Sequence, residues 1–167
     1  MVVLLKGASY EYLVLMDAKR NEAKDRATNK GYQVLQQDSV AHVVKHAKLN
    51  MTGYVIFKPN EFHSKGRIKG VDTPLLLMMK ENGKASMLTI ANPDLHMPKW
   101  NHNMSVMPLD ITHGYISGEV VSVTLDGIWR PIGYNYDLLS VKYDNQSTTL
   151  KIYTRDGKSI DLPLSKQ

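Results

Sequence analysis

Cysteine is absent from this 167-residue chain. Disulfide frameworks and cysteine-ligated zinc are therefore excluded. Long apolar runs are missing too. The longest, Leu75 to Met79, falls far short of the roughly 18 residues a membrane helix needs, and suits a buried strand. The opening Met1-Val2-Val3-Leu4-Leu5-Lys6 has no basic n-region and no extended apolar h-region, so it does not read as a signal peptide. It reads as a strand met directly, the start expected of a piece of a longer protein. No Gly-x-Ser-x-Gly elbow is present, which removes the usual hydrolase nucleophile. No Gly-x-Gly-x-x-Gly or Walker motif occurs, so nothing points to a nucleotide, and no cofactor is expected. Internal repeats and low-complexity tracts are lacking.

What is present is a globular composition. Hydrophobic residues make up 43% of the chain, enough for a packed core. At roughly 100–150 residues per domain, the length allows one domain or two small ones. Net charge is +5 and the pI is about 9.3. A basic surface favours polyanions: nucleic acid, anionic membrane or acidic polysaccharide. The sign alone does not choose among them. Lys58, Lys65, Arg67 and Lys69 carry part of the excess in one expected loop, and a merely solvated loop accounts for them equally well.

The apolar pattern runs mostly at period two, with frequent turn signals. Strands are expected over 2–6, 10–16, 32–36, 40–46, 53–57, 75–80, 85–91, 115–125, 138–143, 148–154 and 158–162. Asp17 to Asn29 is different: polar, rich in Ala, Lys, Glu and Arg, and followed by Gly31. It is expected to form one exposed helix, capped by Asp17 and closed at Gly31. Lys58 to Asp72 loses the pattern and is the expected domain boundary. Pro93 to Gly114 is expected to be a long loop holding Trp100. The fold expected is all-β and sandwich-like, with one helix.

Several strands carry a resemblance. Thr73-Pro74-Leu75-Leu76-Leu77-Met78-Met79, followed by Leu88-Thr89-Ile90-Ala91-Asn92-Pro93-Asp94, resembles the Thr/Ser-Pro-Ala-Leu strand and Asn-Pro turn of polysaccharide lyase family eight. Ala8-Ser9-Tyr10-Glu11-Tyr12-Leu13-Val14-Leu15, Tyr32 to Asp38, Val40-Ala41-His42-Val43-Val44-Lys45-His46 and Gly53 to Phe57 resemble neighbouring strands, in order. The likeness covers roughly Ala8 to Asp94, and more loosely Asp126 to Pro131, and is nearest to the chondroitin ABC lyases. It implies the end of a β-supersandwich over 1–66 and a small C-terminal antiparallel β-sandwich over 67–167. It implies a bacterial enzyme, secreted or periplasmic, that cleaves acidic glycosaminoglycans by β-elimination. In that family a Tyr and a His move the protons, with Arg and Asn or Glu nearby. No position here matches them, so no catalytic residue is expected. The implied role is noncatalytic support for upstream catalytic domains of the same polypeptide, with an acidic polysaccharide as partner. A free-standing carbohydrate-binding sandwich is the alternative.

Of the remaining constellations, Lys99-Trp100-Asn101 is the best candidate for substrate contact. An indole face can pack on a sugar ring while Lys and Asn address sulfate, carboxylate or hydroxyl groups. Arg67 and Lys69 are possible helpers. The competing reading tucks Trp100 under its loop. Trp129 is expected in the core. His42 and His46 share a strand face but lie about 13 Å apart, at about 3.3 Å per residue, too far to share a metal. His96, His102 and His113 show no recognisable ligand spacing, and no metal is expected. Leu150-Lys151-Ile152-Tyr153-Thr154-Arg155 interleaves aromatic and basic residues too sparsely for a nucleic-acid platform, and neither nucleic acid nor membrane is expected as a partner.

Overall fold

A computed structural model describes residues 19–93, 118–155 and 158–167. The chain divides into two compact units, 1–31 and 32–167. In the first, helix α1 spans Arg20–Thr28, within the expected range. Its cap differs from expectation. Lys19 is the N-cap, and its backbone N–H donates to Glu22 Oε2 at 3.0 Å. A glutamate three residues into a helix can reach back in this way; Asp17, the expected cap, lies outside the described residues. The last turn is held by Asn29, whose N–H donates to the Asp25 carbonyl at 2.7 Å and whose amide donates to Asp25 Oδ1. Gly31 follows at φ +70°. The expected strands at 2–6 and 10–16 lie outside the described residues.

The second unit is built of antiparallel strands. They are β1 (Tyr32–Gln37), β2 (Ala41–His46), β3 (Met51–Ile56), β4 (Ile68–Val71), β5 (Leu75–Asn82), β6 (Ala85–Ala91), β7 (Gly118–Asp126), β8 (Trp129–Pro131), β9 (Leu138–Asp144), β10 (Ser147–Arg155) and β11 (Ser159–Lys166). Seven form a sheet in the order β1-β2-β3-β5-β6-β11-β8, here called the large sheet. Four form a small sheet in the order β4-β7-β10-β9. Turn chemistry fixes the hairpins. At the β1–β2 turn Asp38 Oδ1 accepts the N–H groups of Ala41 (3.0 Å) and Val40 (2.8 Å), and these bonds hold its carboxyl below the usual carboxylate range. The β5–β6 turn places Gly83 at φ +61°.

Alternation sets the core. The inward positions of the large sheet include Ala41, Val43, Tyr54, Ile56, Leu75, Leu77, Met79, Leu88, Ile90, Leu162 and Leu164. Those of the small sheet include Val121, Val123, Leu125, Leu150 and Ile152. All belong to one buried cluster with Phe62, Ile68 and Trp129. Two sheets meeting through one such cluster form a sandwich. Among the described residues the chain is thus all-β apart from its short helix, as its pattern predicts.

Two strands were not expected, β4 and β8. Lys58 to Asp72, read as a boundary, holds a 3₁₀ turn at Pro59–Glu61 and then β4. It carries the chain from β3 in the large sheet to β4 in the small one and back to β5. Strands on either side of residues 66 and 67 are directly paired, Tyr54 with Leu77 and Ile56 with Leu75. The expected boundary therefore falls inside one compact unit.

Candidate functional site

Of the residues proposed for substrate contact, Lys99, Trp100 and Asn101 lie outside the described residues, as do His96, His102 and His113. Arg67 and Lys69 flank the start of β4 and are both committed locally. Arg67 Nε donates to Glu81 Oε2 at 2.9 Å, while its backbone N–H donates to the Tyr54 hydroxyl at 3.3 Å. Lys69 Nζ lies 3.6 Å from Asp126 Oδ1 and 3.4 Å from the Gln146 carbonyl. Each cation has a carboxylate beside it, so its field at a distance is largely cancelled. The structure spaces these two along β4 as cross-links between strands rather than as a converging pair.

The other constellations resolve into local roles. His42 packs edge-on against Phe57, ring centroids 5.1 Å apart. His46 Nδ1 accepts the Leu49 N–H at 3.3 Å, closing the β2–β3 turn. Leu150, Ile152 and Thr154 point into the core, leaving Lys151 outside and the Arg155 guanidinium over the Tyr153 ring. Trp129 is fully buried, as its sequence context predicts.

Both outer faces of the sandwich mix polar and apolar side chains, in different arrangements. On the small sheet, paired outward rows are polar: Ser122 with Lys151 and Ser140, and Thr124 with Thr149 and Lys142. The Thr124 and Thr149 hydroxyls bond at 3.1 Å, while Val120 on β7 and Leu139 and Tyr143 on the edge strand β9 are exposed apolar side chains of the same sheet. On the large sheet the outward row runs Val34, Val44, Gly53, Met78. Beside it Val55 pairs with Leu76, and Lys80 with Met87. Val34 is 45% exposed, Val44 and Leu76 39%, and Met78 and Met87 37%. A solvent face is normally marked by polar residues at these positions. The row continues into Thr89 and Asp161, and His42 lies beside Val55, so the apolar group is bordered by polar residues. An exposed apolar group of this kind is a usual mark of a surface that packs against something else.

A second feature had no place in the sequence reading. The loop 132–137, between β8 and β9, presents Tyr134 and Tyr136 at 81% and 82% exposure. The only sequence signal is a Tyr-Asn-Tyr alternation between Gly133 and Asp137, too short to separate from an ordinary turn.

Comparison with known proteins agrees with this architecture. The family model described as polysaccharide lyase family 8, C-terminal beta-sandwich domain, matches residues 33–95. That range runs from β1 through the β5–β6 hairpin, across the pairing just described. A chondroitin sulfate ABC exolyase of Bacteroides thetaiotaomicron is 32% identical over 96% of this chain and 17% of its own length. A chondroitin sulfate ABC endolyase of Proteus vulgaris is 30% identical over 89% of the chain and 14% of its own length. This chain therefore spans about a sixth of these relatives. Among solved structures, chondroitin AC lyase of Streptomyces coelicolor A3 superposes with a TM-score of 0.65 over 90% of the chain at 12% identity. A Paenibacillus xanthan lyase does so at 0.56 over 92%. Sequence likeness along the chain and a shared sandwich fold converge: residues 33–95 match the C-terminal β-sandwich domain of polysaccharide lyase family 8, and the chain as a whole is similar to one stretch of chondroitin sulfate ABC lyases.

Proposed function

We propose that this chain is a noncatalytic C-terminal segment of a secreted or periplasmic glycosaminoglycan lyase. In this reading it docks by its large sheet on upstream domains of the same polypeptide and buttresses their cleft. The observation that carries the reading is the group of exposed apolar side chains Val34, Val44, Leu76 and Met78, which the register brings together on the outer face of the large sheet. Burying such side chains gains about 25 cal/mol per Å² of apolar surface, and a face of this kind is costly to leave wet.

Two expected results test it. The chain alone, incubated with chondroitin sulfate or hyaluronan, forms no unsaturated uronate product above a buffer control. Val44→Lys with Met78→Lys leaves the chain folded but weakens its association with the catalytic portion supplied separately by about tenfold or more, because each ammonium is desolvated without a partner. Undiminished association of the double variant, with its circular dichroism intact, counts against docking by this face.

Direct polysaccharide contact at Lys99, Trp100 and Asn101 is part of the same reading. Arg67 and Lys69 contribute little to it because of their carboxylate partners. Contact by charge fades as the Debye length falls from about 10 Å at 0.1 M salt to about 3 Å at 1 M, whereas indole stacking persists. Trp100→Ala is expected to lower the binding to sulfated chondroitin that survives high salt. Identical binding at both salt levels would assign Trp100 to packing.

A further inference from the structure

We propose a second glycan-contact site, formed by Tyr134 and Tyr136, that takes a pyranose ring by stacking rather than by charge. It rests on the polysaccharide contact proposed above and extends it to a different place in the fold. The loop that carries it crosses from β8, at one edge of the large sheet, to β9, at an edge of the small one. Its backbone is tied at both ends and in the middle. Ile132 N–H donates to the Pro163 carbonyl at 2.8 Å. The Asn135 amide donates to the Asp161 carbonyl at 3.2 Å, and Asn135 Oδ1 accepts the Asp137 N–H at 2.8 Å. The Asp137 carbonyl accepts the Tyr153 N–H at 2.7 Å, and its carboxylate meets the Arg155 guanidinium at 3.1 Å.

Alternation within this tied loop turns Asn135 toward the body and both neighbouring tyrosines outward. The two rings lie 4.7 Å apart with planes at 83°. One ring is met by the edge of the other, and the pair makes a corner of aromatic surface with two phenolic hydroxyls. Aromatic side chains of this kind bring large contact area with few rotatable bonds. Because the loop is already ordered, little is lost in fixing it on binding.

The chemistry narrows the ligand. Asp137 and Arg155, the charges tied into the loop, lie 3.1 Å apart as an ion pair, which largely cancels their field at a distance. What remains is a flat apolar face beside hydroxyl donors and acceptors. That suits the C–H face of a pyranose and its ring hydroxyls. The relatives that this chain resembles are named for action on chondroitin sulfate, a polymer of such rings.

The test uses the whole chain, a size-defined chondroitin sulfate oligosaccharide and isothermal titration at 0.1 M and 1 M salt. Tyr134→Ala with Tyr136→Ala is expected to weaken high-salt binding by about tenfold or more, while Tyr134→Phe with Tyr136→Phe keeps most of it, since the stacking faces remain. The effect should persist in a Trp100→Ala background. If the chain binds and the folded Ala pair binds equally well, the tyrosine site is wrong while polysaccharide contact stands. If the unaltered chain binds no oligosaccharide at either salt level, the polysaccharide-contact reading falls with it. Loss of self-association or of association with the catalytic portion, in place of glycan binding, would make the loop a protein contact and also overturn the proposal.

Discussion

Trp129→Ala is expected to lower the unfolding free energy by about 3–5 kcal/mol, the usual range for deleting a buried Trp. Trp129 lies on β8, the three-residue strand at the edge of the large sheet, and is fully buried there. Its backbone N–H donates to Thr148 Oγ1 on β10 of the small sheet at 2.9 Å. Its indole N–H donates to the Asp126 carbonyl at the end of β7 at 2.8 Å. Thr148 in turn donates to the Gly127 carbonyl at 3.0 Å, and Lys166 lies over the indole, 5.8 Å from its centroid. Trp129 thus joins an edge of one sheet to the other, its backbone bonding β10 and its indole the end of β7. Removing it leaves a large cavity and an orphaned carbonyl. Trp129→Phe keeps most of the packing and forfeits the indole bond, and should cost less. Urea denaturation followed by circular dichroism checks this, with the midpoint falling at an unchanged slope. A loss below about 1 kcal/mol for the Ala variant would mean that the site collapses around the gap, contrary to the role given to Trp129 here.

The strands that sequence made legible are those whose alternation is strong and whose turns carry the right residues. Leu150-Lys151-Ile152 is such a case, whereas Leu75 to Met79 is legible as an unbroken apolar run. β4 was hidden because Ile68-Lys69-Gly70-Val71 offers only two apolar positions and has a glycine where the register with β7 shifts. β8 was hidden because three residues ending at Pro131 show no period. Lys58 to Asp72 looked like a linker because a chain that leaves one sheet, passes a 3₁₀ turn and crosses to another uses linker-like residues. Composition marks such a crossing and a domain boundary in the same way.

The candidate surfaces were less legible, for a different reason. Val34, Val44, Met78 and Leu76 each look like ordinary strand residues. Only the register puts Val34 beside Val44, and Met78 across Gly53 from them, on the outward side. Arg67 and Lys69 read as loop cations and possible helpers in glycan contact; their partners, Glu81 and Asp126, are distant in sequence. A local pattern gives a residue's direction relative to its neighbours but not what lies across the sheet.

Tyr54 yields the second large effect, and one with a pH signature. Its side chain is buried on β3, and its hydroxyl accepts the Arg67 N–H at 3.3 Å where the chain turns into β4. Gly66, at φ +63°, sits so close that a Cβ there would lie 2.6 Å from this hydroxyl. Tyr54→Ala opens a cavity under that turn and frees β4 from the large sheet, and is expected to cost about 3–5 kcal/mol, as for other buried aromatics. Burial pushes the phenol above its ordinary pKa, because the phenolate would lose its hydration; the Arg67 and Ile68 backbone N–H groups only partly offset this. The folded state therefore holds the proton more tightly than the unfolded chain does. That preference costs nothing below the unfolded value of about 10, and stability is lost as pH rises from there through the raised folded value. Tyr54→Phe keeps the ring, lacks the ionising group and should flatten this alkaline limb while costing little at pH 7. Unfolding midpoints in urea between pH 7 and pH 11 decide the matter. An alkaline limb equally steep in the Phe variant would place its origin in another titrating group.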